Sequence, residues 1–108
     1  MENAEETAFA LYNQAVESEC DEDIRSDAFY SLGLLYLEGR GTAQSPKDAL
    51  ECMVKSAELG NAGAQFKAGE MYLGGIGTSV SEDKASAYLK MAAEQGDTRA
   101  EELLLSIS

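Results

Sequence analysis

The sequence repeats itself at a shift of 36 positions, and that period constrains the fold more than any other feature. Ala28 pairs with Ala64, Gly33 with Gly69, and Tyr36-Leu37 with Tyr72-Leu73. Gly39 and Gly41-Thr42 pair with Gly75 and Gly77-Thr78, and Ser45 with Ser81. Ala49 pairs with Ala85, Ala57-Glu58 with Ala93-Glu94, Gly60 with Gly96, and Ala64 again with Ala100. No gap interrupts the series. A unit this short cannot bury its apolar face alone, so such periods predict copies stacked on one another, each burying its face against its neighbours.

Within each unit the spacing predicts two helices. The first, A, covers 24–38 and 62–74, with Ala28, Leu32, Leu35 and Tyr36, then Ala64, Ala68, Met71 and Tyr72, at helical intervals. Gly33 and Gly69 lie inside these helices, where glycine is about 1 kcal/mol worse than alanine. A close neighbouring helix would account for both. The second helix, B, covers 46–59 and 82–95, with Ala49, Met53 and Ala57, then Ala85, Leu89 and Ala93, four apart. Ser45 and Ser81 are placed to cap B, with Pro46 in one first turn and acids following in both. Gly60 and Gly96 stand where a left-handed residue ends a helix. No stretch alternates apolar and polar residues as a half-buried strand does, so the expected class is all-α.

The flanks extend this scheme. Residues 3–18 predict a B-type helix with Ala8, Leu11, Tyr12 and Ala15 as its apolar stripe. An irregular acidic loop is expected from Glu19 to Asp23. Thr98 and Glu101 form the pattern of a capping box, opening a last A-type helix over 98–108.

The run Ala28, Leu32-Gly33, Tyr36, Gly39, Gly41, then Ala49, Ala57 and Gly60, resembles the Sel1-like repeat of the tetratricopeptide-like class. The copy from Ala64 resembles it too, with Ala68 where that family prefers leucine. The resemblance implies one domain over 1–108: an N-terminal B-type helix (3–18), repeats at 26–61 and 62–97, and a capping helix at 98–108. It implies a right-handed α–α superhelix of five to six helices. It also implies a non-catalytic adaptor or scaffold for another protein, with no shared catalytic residues to carry over.

Composition excludes several other functions. The formal net charge is −12 and the chain has no basic cluster, so binding to nucleic acid or to an anionic membrane is not expected. The first residues, Met1 to Glu6, lack the basic and apolar regions of a secretory leader, which makes a cytoplasmic address the expectation. Cys20 and Cys52 are expected as free thiols, Cys52 as a small core residue. Gly39-Arg-Gly41 and Gly75-Ile-Gly77 follow a helix rather than a strand, so a phosphate-binding loop is not indicated. Asp21, Asp23 and Asp27 do not make a calcium loop, because Ser26 and Leu32 fall where glycine and glutamate are needed. With no histidine, and no base near either cysteine, nothing proposes catalysis, a metal or a cofactor.

Two candidate interaction surfaces remain. On the A helices, Tyr30, Leu34 and Leu37 lie opposite the core stripe, and Phe66, Glu70 and Leu73 repeat their positions. With Asp27 and Glu38 at the border, this face would line a groove for a peptide or helix of another protein, anchored by Tyr30 and Phe66. The same residues would equally serve contact between adjacent A helices, or self-association as a homodimer. The second surface is the acidic end, which includes Glu17, Glu19, Asp21, Glu22 and Asp23. Residues 1–27 carry nine acids against one base, or −8 of the total −12. Such an end keeps a small protein soluble, or steers in a basic partner, as in an inhibitor or immunity protein that covers a toxin or nuclease.

Overall fold

The computed structural model describes residues 4–18 and 21–107 and contains six helices: α1 (Ala4–Glu17), α2 (Glu22–Glu38), α3 (Pro46–Glu58), α4 (Ala62–Gly74), α5 (Glu82–Glu94) and α6 (Thr98–Ile107). Each packs on the helices before and after it, and the closest pairs are α2 with α3 and α4 with α5. The stack measures 50 × 27 × 18 Å. Among the described residues there is no strand, and no helix is long and apolar enough to cross a membrane.

Small residues set the distance between the helices of a pair. Ala28, Ala49, Ala57, Ala64, Ala68, Ala85 and Ala92 are all buried, and larger Leu32, Met53, Met71 and Leu89 fill the spaces between them. At Gly33 a Cβ would lie 2.7 Å from Met53 Cε; at Gly69 it would lie 2.7 Å from both Cγ and Cδ2 of Leu89. The close neighbour of each A helix is thus the B helix of its own unit. Polar side chains also bridge neighbouring helices. The Ser56 hydroxyl donates to the Ser26 carbonyl at 2.6 Å. Buried Gln65 donates to the Ala57 carbonyl at 3.1 Å. Gln95 donates to Gln65 Oε1 within the second unit and to the Gly60 carbonyl of the first, both at 2.9 Å.

The glycine pairs of the A-to-B turns fix the stacking of one unit on the next. Gly39 and Gly75 are left-handed ends of α2 and α4. Gly41 and Gly77, at φ of 76° and 78°, press against the start of the preceding B helix. A Cβ on Gly77 would collide with the Pro46 carbonyl, and one on Gly41 with the Glu5 carbonyl. Glu5 therefore stands to Gly41 as Pro46 stands to Gly77, and α1 occupies the place of a B helix.

Three local expectations are corrected. The acidic segment is not an irregular loop from Glu19 to Asp23: α2 already begins at Glu22, because Asp21 caps it by accepting the Asp23 amide at 2.9 Å. Glu19 and Cys20 lie outside the described residues. On α1, Leu11 and Tyr12 are not the buried stripe; they are 58% and 37% exposed, and the helix has no fully buried residue. Its contact is instead Phe9, edge-on to Tyr36 with ring centroids 5.3 Å apart. Finally, α6 is capped by Asp97 rather than Thr98, since Asp97 Oδ1 accepts the amides of Arg99 at 2.9 Å and Ala100 at 3.3 Å.

The two helix-interior glycines differ in what they touch, which generates a prediction. Alanine gains about 1 kcal/mol of helix propensity at either site, whereas overpacking a filled core is unfavourable by about 1–3 kcal/mol. Gly69→Ala meets the branch point of fully buried Leu89 and should lower stability by about 1 kcal/mol or more. Gly33→Ala meets the flexible end of Met53 and should be near neutral. Urea denaturation of the two variants measures the difference.

Candidate functional site

The A-helix face is built from positions that recur every 36 residues, and the structure distributes them unevenly. Tyr30 is half-buried and lies over α4, where a Cβ on Gly63 would be 3.4 Å from its ring. Leu34, Leu37 and Leu73 are half-buried against the central core cluster. Asp27 is exposed and accepts a hydrogen bond from Asn61 Nδ2 at 3.1 Å. Glu38 pairs with Arg40 at 3.3 Å, and Arg40 reaches Glu5 of α1 at 3.1 Å. These residues join neighbouring helices as well as bordering the face.

The open part of the face lies between α4 and α6. A cleft of about 350 Å³ is lined there by Phe66, Glu70, Arg99, Glu102, Leu103 and Ser106. Glu70 is held toward Lys67 at 3.5 Å. The Arg99 guanidinium sits 4.3 Å from the Phe66 ring centroid, a cation–π arrangement. Asp97 holds it there through Arg99 Nε at 3.2 Å and Nη2 at 3.0 Å. One carboxylate thus caps α6 and orients the cation over the aromatic ring. The bond from Arg99 holds the Asp97 carboxyl below its usual value.

Phe66 and Glu70 therefore line one cleft, while Tyr30, Leu34 and Leu37 do not reach it. Arg99, Glu102, Leu103 and Ser106 were missed because α6 reads only as a cap. The period itself would have found them: they stand 36 positions after Gly63, Phe66, Lys67 and Glu70. At the other end Glu17, Asp21, Glu22 and Asp23 are all exposed around the α1–α2 joint. No acidic or cysteine cluster among the described residues could hold a metal ion.

Comparison with known families follows the same helical pairs. The Sel1 repeat profile matches residues 26–61 and 62–97. The chain belongs to the Sel1 repeat family. Among solved structures it is similar to a Sel1 repeat protein from Oxalobacter formigenes, with a TM-score of 0.74 and 32% identity over 94% of this chain and 34% of that one. It is also similar in fold to c5321, described as a protective antigen present in uropathogenic Escherichia coli strains displaying an SLR fold. There the TM-score is 0.68 and the identity 22%, over 86% of this chain and 23% of the other. The chain thus spans about a third and a quarter of those Sel1-type solenoids. No curated protein matches it. Sel1 repeats are in general protein–protein interaction modules.

Two predictions follow from these side chains. Asp97→Ala removes the cap and the anchor of Arg99, and should lower stability by about 1 kcal/mol in a thermal melt. Because the Asp97 carboxyl titrates lower in the folded state, its contribution is present at neutral pH and is lost as pH falls below its usual 3.8. Asp97→Asn keeps a capping oxygen and should remove that acid dependence. Cys52 is a free, half-buried thiol whose burial pushes its pKa up from 9.0 to about 11. It therefore stays protonated through pH 8. In a Cys20→Ser background it should alkylate roughly a hundredfold slower than in the unfolded chain, since only the thiolate reacts.

Proposed function

We propose that this Sel1 repeat module binds a peptide or helix of another protein on its A-helix face, with the α4–α6 cleft as the primary contact. The observation that carries the reading is the half-buried Phe66 under the Arg99 guanidinium, in a cleft that also presents Glu70, Glu102, Leu103 and Ser106. An aromatic ring and an arginine fixed at the centre of an apolar and polar surround are the composition of an interaction hot spot. Tyr30, Leu34, Leu37 and Leu73 extend the surface, and Asp27 and Glu38 border it.

A second reading rests on the exposed acids at the opposite end. Glu17, Asp21, Glu22 and Asp23 crowd the first joint, in a stretch carrying most of the net charge. Such an end would cover a basic surface, as an inhibitor does. An association led by exposed charges weakens steeply with added salt, because screening acts within about 10 Å at 0.1 M.

The test is affinity capture from lysate of the source cells, followed by titration of the captured protein. Phe66→Ala and Glu70→Lys, each shown by circular dichroism to keep its helices, should weaken the partner about tenfold or more, corresponding to a hot-spot loss of about 1.4 kcal/mol. A partner held equally by both variants, and released by salt or by Glu22→Lys/Asp23→Lys, would establish the acidic-end reading instead.

A further inference from the structure

A different surface lies at the end of the stack, beyond the proposed binding face. Counting by the 36-residue period, three positions change character there. Gly33 and Gly69, which admit the B helix, are followed by Leu105. Leu50 and Val54 pack in the core between the first and second units, and their counterparts on α5 are Ser86 and Lys90. Leu105 thus stands where Gly33 and Gly69 admit the B helix of their own units, and Ser86 and Lys90 stand where Leu50 and Val54 supply an apolar floor. Yet this end is not polar. Leu104 and Ile107 rest against Leu89, Ala92 and Ala100 while lining, with Leu105, Ser86, Lys90 and Glu101, an open groove of about 530 Å³. Leu105 is 76% exposed.

We propose that the α5–α6 groove is the interface of a symmetric homodimer, its occupant being α6 of a second copy. One observation selects a second copy, and another the end through which it pairs. The groove carries an apolar strip from α6 flanked by one cation, Lys90, and one anion, Glu101. A twofold axis through that strip sets leucine and isoleucine against their equivalents and offers Lys90 of one copy to Glu101 of the other, twice. A face with one of each charge is self-complementary, as an isologous contact requires. The second observation is long-range. The exposed acids Glu17, Asp21, Glu22 and Asp23 lie toward the other end of a particle 50 Å long. Pairing through α6 keeps the two acidic ends far beyond the screening length of about 8–10 Å, whereas pairing through α1 would press them together.

Sedimentation equilibrium from micromolar to submillimolar protein tests this. The mass should rise from 11.5 kDa toward twice that value. Leu105→Asp places a charge at the centre of the contact and should weaken the dimer more than tenfold; a loss of 1.4 kcal/mol corresponds to tenfold. At so exposed a site the helices should persist by circular dichroism. Lys90→Glu and Glu101→Lys should each weaken the dimer several-fold, and Lys90→Glu/Glu101→Lys together should restore it, because the exchanged charges again face opposite signs. A wild type that stays monomeric throughout overturns the proposal. So does a dimer that survives Leu105→Asp, or a double variant no stronger than its singles.

Discussion

The architecture depends on how closely the two helices of a unit approach. Where α2 crosses α3 and α4 crosses α5, the A helix offers only a hydrogen at Gly33 and Gly69, and Met53 or Leu89 occupies the space. Alanine lines the rest of the contact. Close packing multiplies weak dispersion contacts, and a chain with few large core side chains gains stability in this way rather than through bulk. The same approach brings the Ser26 and Ser56 backbones within reach of each other's hydroxyls, so the pair is joined by polar as well as apolar contact.

The turns translate that local geometry into a stack. Gly41 and Gly77 lie so close to the preceding B helix that backbone meets backbone. The glycine-rich segments that superficially suggest a phosphate loop are thus joints, and their spacing copies the position of one unit onto the next. Charge then follows position along the stack: exposed acids gather at the α1 end, and an arginine held by Asp97 faces the aromatic ring at the α6 end.

Much of this was legible in the sequence because repetition amplifies weak signals. A single Ser45 or Gly60 says little, but its recurrence at 81 or 96 identifies a cap or an ending. The A helices, the B helices and the family were readable on those grounds. The ends were harder, since nothing repeats there to average over. Leu11 and Tyr12 looked like a core stripe because their spacing is helical, yet no helix among the described residues covers that side of α1. Thr98 satisfied a capping pattern, but Asp97 stands one residue earlier, in register with Asn61, and its carboxylate wins the amides. Helical spacing put Phe66 and Glu70 on one face, while the opening beside them at α6 did not show in it. Which part of an apolar face stays uncovered depends on the neighbours, and sequence periodicity does not report occupancy.

The Gln95 side chain carries a consequence for how the molecule comes apart. It donates to the Gly60 carbonyl of the first unit and to Gln65. The Gln65 amide in turn donates to the Ala57 carbonyl of the first unit in a buried bond, so the two units share one chain of polar contacts. The two repeats are therefore coupled in unfolding and should open as one cooperative block. Helix α1 is held by Phe9 against Tyr36 and by the Glu5–Arg40 ion pair at the surface, and it has no fully buried residue. The solenoid should thus open from its leading helix before its two coupled repeats, and the exposed acids Asp21, Glu22 and Asp23 stand at the joint where the two parts separate.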